Sequence, residues 1–207
     1  MISALLFASL VSTHTLYATD DVWIYPHSFD QTGDPVLRIW GDGTNSVGDP
    51  GSSQHSYSIV RFDLSAVSEA APKLKEATLV LFHEVEAGFS ANDTKIAPLE
   101  ARVVDANFDE KKWTFEQYTR HFPKADETSL LGKASPVPTQ DGKPFKIEVD
   151  LLTGKGDFRK QIEGKKSVAI ALTTKMTPGG AEGPYYKVLS RSNEKALQPQ
   201  LVLEYSD

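Results

Sequence analysis

The chain has 207 residues, no cysteine, and a formal net charge of −6 with a pI near 5.4. The acidic balance makes nucleic acid or anionic lipid a poor partner, and the missing thiols exclude disulfides, Cys-based zinc and a cysteine nucleophile. The length suits one all-β domain whose core needs neither disulfide nor metal for stability.

The chain opens on the apolar run Ile2–Val11, too short to span a bilayer, and reaches small Ala18 after Leu16 and Tyr17. This predicts a signal peptide over residues 1–18, cut between Ala18 and Thr19. No Lys or Arg precedes the run. The expectation is therefore a secreted, extracellular protein with one domain over residues 19–207. No later segment is apolar enough to enter a membrane.

Asp21–Pro26 is the first predicted strand, with Val22 and Ile24 on one side and Trp23 and Tyr25 on the other. Pro35–Trp40 is the second. The stretch 41–53 is rich in Gly, Asp, Asn and Ser, and reads as a long loop. Ser58–Ser65 then alternates with a period of two, placing Val60, Phe62 and Leu64 on a core face. Arg61 and Asp63 share the other face, roughly 7 Å apart, which predicts an ion pair that pins the strand.

Ala77–Glu84 and Pro98–Val104 are further strands. Residues 109–122 mix helix and loop signals, with Thr114 a candidate helix cap. Residues 123–144 read as loop with room for one short strand. Phe145–Leu151 alternates cleanly, with Phe145, Ile147, Val149 and Leu151 inward. Phe158–Glu163 predicts a turn or two of helix. Ser167–Leu172 is continuously apolar and reads as a central strand. After a Gly/Pro-rich loop at 176–184, Tyr185–Arg191 and Pro199–Tyr205 are the last strands. Eight to ten strands without a long helix predict an antiparallel β-sandwich of jelly-roll type.

The order of these motifs resembles the DNRLRE-type domain, also classed as carbohydrate-binding module family 96. Ile59–Ser65 is similar to its apolar-apolar-Arg-Phe-Asp-Leu-Ser strand, and Ala77–Phe82 to the Ala-Thr-Leu-x-Leu strand that follows. Ile147–Leu151, Gly164 and Val168–Leu172 resemble its next succession. Ser190–Glu194 before Pro199–Tyr205 is similar to its ending. Two features depart from the pattern: Trp113-Thr114-Phe115-Glu116 answers only in part to the family's central Trp motifs, and Glu194 comes late. The resemblance implies a non-catalytic jelly-roll module of secreted bacterial proteins, often attached to polysaccharide-degrading enzymes, with some members binding alginate-like polymers.

Sugar binding needs aromatic faces for pyranose rings and polar groups for hydroxyls, and acidic polymers add a need for Arg or Lys. The candidates are Trp23, Tyr25, Arg38, Trp40, Arg61, Tyr186, Lys187 and Arg191, with Tyr57 and Tyr185 beside them in the sequence. The same residues have plainer readings: aromatics in a core, Arg61 in a structural ion pair, Arg191 as a turn clamp. No cofactor is expected. A structural calcium ion would draw on Asp20, Asp21, Asp42 and Asp49, although Asn and Asp at these places also serve ordinary turns.

Two other functions stay open on the residues alone. One is a structural or adhesive module whose partners are other cell-surface or secreted proteins. The other is a small polysaccharide lyase, pairing Tyr185 or Tyr186 with His55 or His121. No hydrolase, zincin or phosphate-loop motif is present.

Overall fold

A computed structural model describes residues 11–25, 33–40, 56–84, 91–112, 117, 120–121, 123–124, 126–139, 141–174 and 186–206. Ten strands are present: β1 (Val11–Ile24), β2 (Val36–Ile39), β3 (Tyr57–Asp63), β4 (Leu74–His83), β5 (Leu99–Val104), β6 (Leu130–Ala134), β7 (Phe145–Asp150), β8 (Ser167–Thr174), β9 (Tyr186–Leu189) and β10 (Gln200–Ser206). The helices α1 (Ala91–Ile96) and α2 (Phe158–Ile162) are short.

Among the described residues, every strand pair is antiparallel. One sheet runs β1-β10-β4-β7 and the other β3-β8-β5-β6. The chain passes repeatedly from one sheet to the other, which is the jelly-roll arrangement expected from the sequence. A β2-β9 pair extends the first sheet, with β9 meeting β4 where Val188 faces His83. The core lies between the sheets. Phe145, Ile147 and Val149 from one side meet Val60, Phe62, Ile170 and Leu172 from the other.

β1 belongs to both sheets. Val11–Tyr17 pair with β10, and the strand then pairs with β3 from Ala18 to Ile24. The register shifts between Ala18 and Asp20, and such a bulge lets a strand bend from one sheet into the other. The expected domain start at residue 19 therefore falls inside a strand. Ser12, Thr13, His14 and Thr15 look like the polar end of a leader, but alternating β-branched and polar residues also make a good strand.

Outside the central core, the second sheet is covered again. Val22, Ile24, Tyr57, Ile59 and Ala169 form a second buried cluster with Phe108. Phe108 belongs to the long connection between β5 and β6. Two arginines hold that connection down. Arg61 donates to the carbonyls of Ala106 (3.1 Å) and Phe108 (2.8 Å), with its guanidinium 4.8 Å from the Phe108 ring centre. Arg102, almost wholly buried, donates to the carbonyls of Lys124 (3.1 Å) and Asp126 (2.7 Å) and pairs with buried Glu100 at 2.8 Å.

The Arg61–Asp63 pair predicted above does not form. Asp63 instead accepts the N–H (2.9 Å) and hydroxyl (2.6 Å) of Ser65, while Arg61 pairs with Asp20. An acid two residues before a serine can close a local turn, and that short reach wins over the longer one. Two elements were not anticipated as such: α1, and β6 within a stretch read mainly as loop. The predicted cap Thr114 lies outside the described residues.

Candidate functional site

The end of β1 and the short strand β2 bring together Trp23, Tyr25, Arg38 and Trp40. All four are half-buried. The Trp23 and Trp40 ring centres are 6.3 Å apart with the planes tilted by 45°, and Tyr25 lies 5.6 Å from Trp40 at 42°. The Arg38 guanidinium sits 5.4 Å from the Trp23 ring centre, within cation–π range. In β9, Lys187 stands directly opposite Arg38. Opposed residues in an antiparallel pair share a face, so Arg38, Lys187 and Trp40, two positions along from Arg38, project to one side.

This cluster is held by polar contacts beneath it. Asp34 accepts the Trp23 indole N–H at 3.0 Å and the Val36 backbone N–H at 3.1 Å, and its own carbonyl accepts the Ser190 hydroxyl at 2.7 Å. One residue thus ties β1 to the starts of β2 and the turn after β9. Ser56 and Ser58 both donate hydroxyls to the Arg38 carbonyl, and Trp40 exchanges two backbone hydrogen bonds with Ser56. Asp34 was not among the residues singled out from the sequence. Its signal was available: an Asp-Pro dipeptide before a strand favours a turn in which the carboxylate accepts the N–H two residues on.

Four of the expected binding residues are committed elsewhere. Tyr186 is fully buried, and its hydroxyl donates to the Ala97 carbonyl at 2.7 Å. It faces Ile39 across β9-β2, on the core side of the strand that Lys187 faces away from. Tyr57 is buried in the second cluster. Arg61 is the clamp described above, its Nε 2.8 Å from an Asp20 oxygen. Arg191 binds Glu110 through its Nε at 3.2 Å and again through a second guanidinium nitrogen. Its backbone N–H donates to Asp21 at 2.6 Å. Tyr185 lies outside the described residues.

The calcium reading changes with these contacts. Asp20 and Asp21 are neighbours on a strand and point to opposite faces. Asp20 pairs with Arg61, whereas Asp21 faces Arg191 and Glu110. Burial pushes the Asp21 carboxyl up to about 7, against the lowering pull of the Arg191 N–H and guanidinium, with Glu110 and Asp20 adding to the rise. Their positions suit hydrogen bonding to arginine rather than convergence on one ion. Asp42 and Asp49 lie outside the described residues. Among the described residues, no group of three or more His, Asp or Glu side chains could hold a metal ion.

The Tyr/His pairing considered for a lyase is not assembled from Tyr186 and His121. Tyr186 sits in the central core. His121 is buried against Phe108 with both ring nitrogens 2.9 Å from backbone carbonyls, those of Gln117 and Asn107. His55 lies outside the described residues.

The fold and this cluster together define the class: an antiparallel jelly-roll β-sandwich bearing a tilted aromatic cluster with flanking cations. Neither a protein-family model nor a curated protein sequence matches the chain.

Proposed function

We propose that this domain binds polysaccharide, without cleaving it, at the end of the sandwich formed by Trp23, Tyr25, Arg38, Trp40 and Lys187, and that it does so outside the cell. The observation that carries this reading is the convergence of three half-exposed aromatic rings from two strands, with Arg38 against one of them. Pyranose C–H faces pack on aromatic surfaces, and such rings combine a large contact area with little conformational entropy to lose. The tilts of 42° and 45° suit a twisted single chain better than a flat polymer surface.

The cations bear on the polymer class. Arg38 and Lys187 stand directly opposite on β2 and β9, which sets two positive side chains on one face. A uronate carboxylate complements such a face, and Arg suits it by bidentate contact. The motif order shared with DNRLRE-type domains points the same way, toward acidic polysaccharide of the alginate kind.

The test is a titration of the full chain with alginate, pectin and xylan, followed by tryptophan emission. Binding at this face predicts a saturable change with one of the acidic polymers that falls as salt rises. An unchanged emission with all three, under conditions where the protein stays folded, would remove the reading and favour an adhesive module.

A further inference from the structure

We propose a second acidic-sugar site, distinct from the aromatic cluster, in the cleft between the ends of β5 and β8, the turn after α2, and residues Arg120, Lys124, Thr128 and Ser129. It takes one carboxylated pyranose unit, and it rests on the polysaccharide-binding reading only for the chemistry of its ligand. Two adjoining hollows of about 230 and 410 Å³ meet here and share Val103, Val104, Asp105 and Gln161. Space of that size accommodates a sugar ring with its substituents.

The rim of the hollows is cationic. Val103 and Val104 are only partly covered; they point to opposite faces of β5, Val103 against the central core and Val104 against the second cluster, so each offers a separate small apolar contact at the strand end. Lys124 and Arg120 stand on one rim, and Lys165 on the other. Against these three cations, Asp105 is the one carboxylate among the described residues lining the hollows. It takes up Arg120 in a half-exposed pair at 3.5 Å. Neither Lys124 nor Lys165 lies within salt-bridge distance of a described carboxylate, although Lys124 is close enough to Asp126 to help hold its carboxyl down. The balance around the hollows stays positive on a chain whose net charge is −6.

The mounting is rigid. The Lys124 carbonyl accepts hydrogen bonds from Arg102 (3.1 Å) and from the Ser129 hydroxyl (2.5 Å), so buried side chains fix the backbone that carries the lysine. The Gln161 amide nitrogen donates to the Gly156 carbonyl at 3.2 Å, which leaves its oxygen to accept from a sugar hydroxyl. Lys165 follows α2 in a turn closed by its N–H on the Ile162 carbonyl at 3.1 Å. Dispersed cations beside the Gln161 amide match a carboxylated ring with hydroxyls better than a compact phosphate, which a nest of backbone N–H groups would hold.

The site is distinct from the aromatic cluster by register. Ala169 pairs with Arg61, which pairs with Asp20, whereas Trp23 pairs with Ser58 and that with Leu172. The two sites therefore lie at different levels along the strands, with β3 and β8 between β1 and β5.

The experiment is an amide-resonance NMR titration of the full chain with a trimer of galacturonic acid, with xylotriose and with acetate. The expected result is saturable shifts at residues 103–105 and 161–165 with the acidic trimer alone. They should persist in Trp23→Ala/Trp40→Ala and weaken about tenfold in Lys124→Gln/Lys165→Gln, given the modest worth of each exposed charge contact. Lys165→Glu is the second variant if the double substitution perturbs the spectrum. Shifts confined to the Trp23 and Trp40 region would overturn this site while leaving the proposed function intact. Equal shifts with acetate would reduce it to a generic anion contact and overturn it. No shift anywhere would overturn both.

Discussion

Arg61, Arg102 and Arg191 direct their guanidinium groups to carbonyls and carboxylates of their own chain, whereas Arg38 rests against an aromatic ring at the surface. The difference predicts opposite phenotypes. Arg102→Leu leaves Glu100 charged and almost wholly buried, so urea denaturation should show a loss of about 3–5 kcal/mol. Arg38→Gln should change stability by no more than about 0.5 kcal/mol while weakening binding to an acidic polymer. Asp21 gives a pH signature. Its folded carboxyl titrates near 7 against an ordinary 3.8, so the folded state holds a proton that the unfolded chain has already released. Its contribution is present in full below pH 4 and is lost as pH rises through 7. Asp21→Asn should therefore lose less stability than the natural chain between pH 5 and 8, measured as the difference in Tm; an equal loss would contradict the assignment. None of these pairings is written in local sequence. Arg61 next-but-one to Asp63 looks like a pair, yet its partner Asp20 is more than forty positions away.

Strands with one core face were legible because the alternation of apolar side chains is itself the physical cause of their placement. Phe145–Asp150 alternates buried and exposed as its sequence does. β1 was legible only in its second half. Its first half carries no apolar stripe, because Val11–Tyr17 sit at intermediate or full exposure and are held largely by pairing with β10. Backbone pairing leaves little trace in residue type. Deleting residues 1–18 should therefore open the β10 edge and expose the core around Ala18, giving a lower Tm or insoluble protein. A chain starting at Thr19 with an unchanged Tm would show that this half-strand is dispensable. Close approach of backbones is equally silent until glycine is asked why it is there. A Cβ on Gly132 would lie 2.0 Å from the Asp150 carbonyl oxygen. Gly132→Ala must push β6 from β7 and should cost about 1–3 kcal/mol, as overpacking does.

At the scale of the whole molecule, the jelly roll explains why Trp23 and Trp40 meet. β1 crosses from one sheet to the other, and β2 pairs with β9 beside that crossing, so residues seventeen positions apart become neighbours. The sequence showed Trp23, Tyr25, Arg38 and Trp40 within its first forty residues. It did not show which candidates face the surface, since Tyr186 and Lys187 are adjacent in sequence but face core and surface respectively. Strand parity decides that, and parity depends on a register set by partners elsewhere in the chain. The central claim is that the aromatic end of the sandwich holds polysaccharide. Its most direct test is affinity electrophoresis of the natural chain beside Trp23→Ala/Trp40→Ala, through gels with and without alginate or pectin. An acidic polymer should slow the natural chain, the variant should run as in the empty gel, and polymer viscosity should be unchanged. Equal retardation of both proteins, or retardation of neither, would contradict that claim.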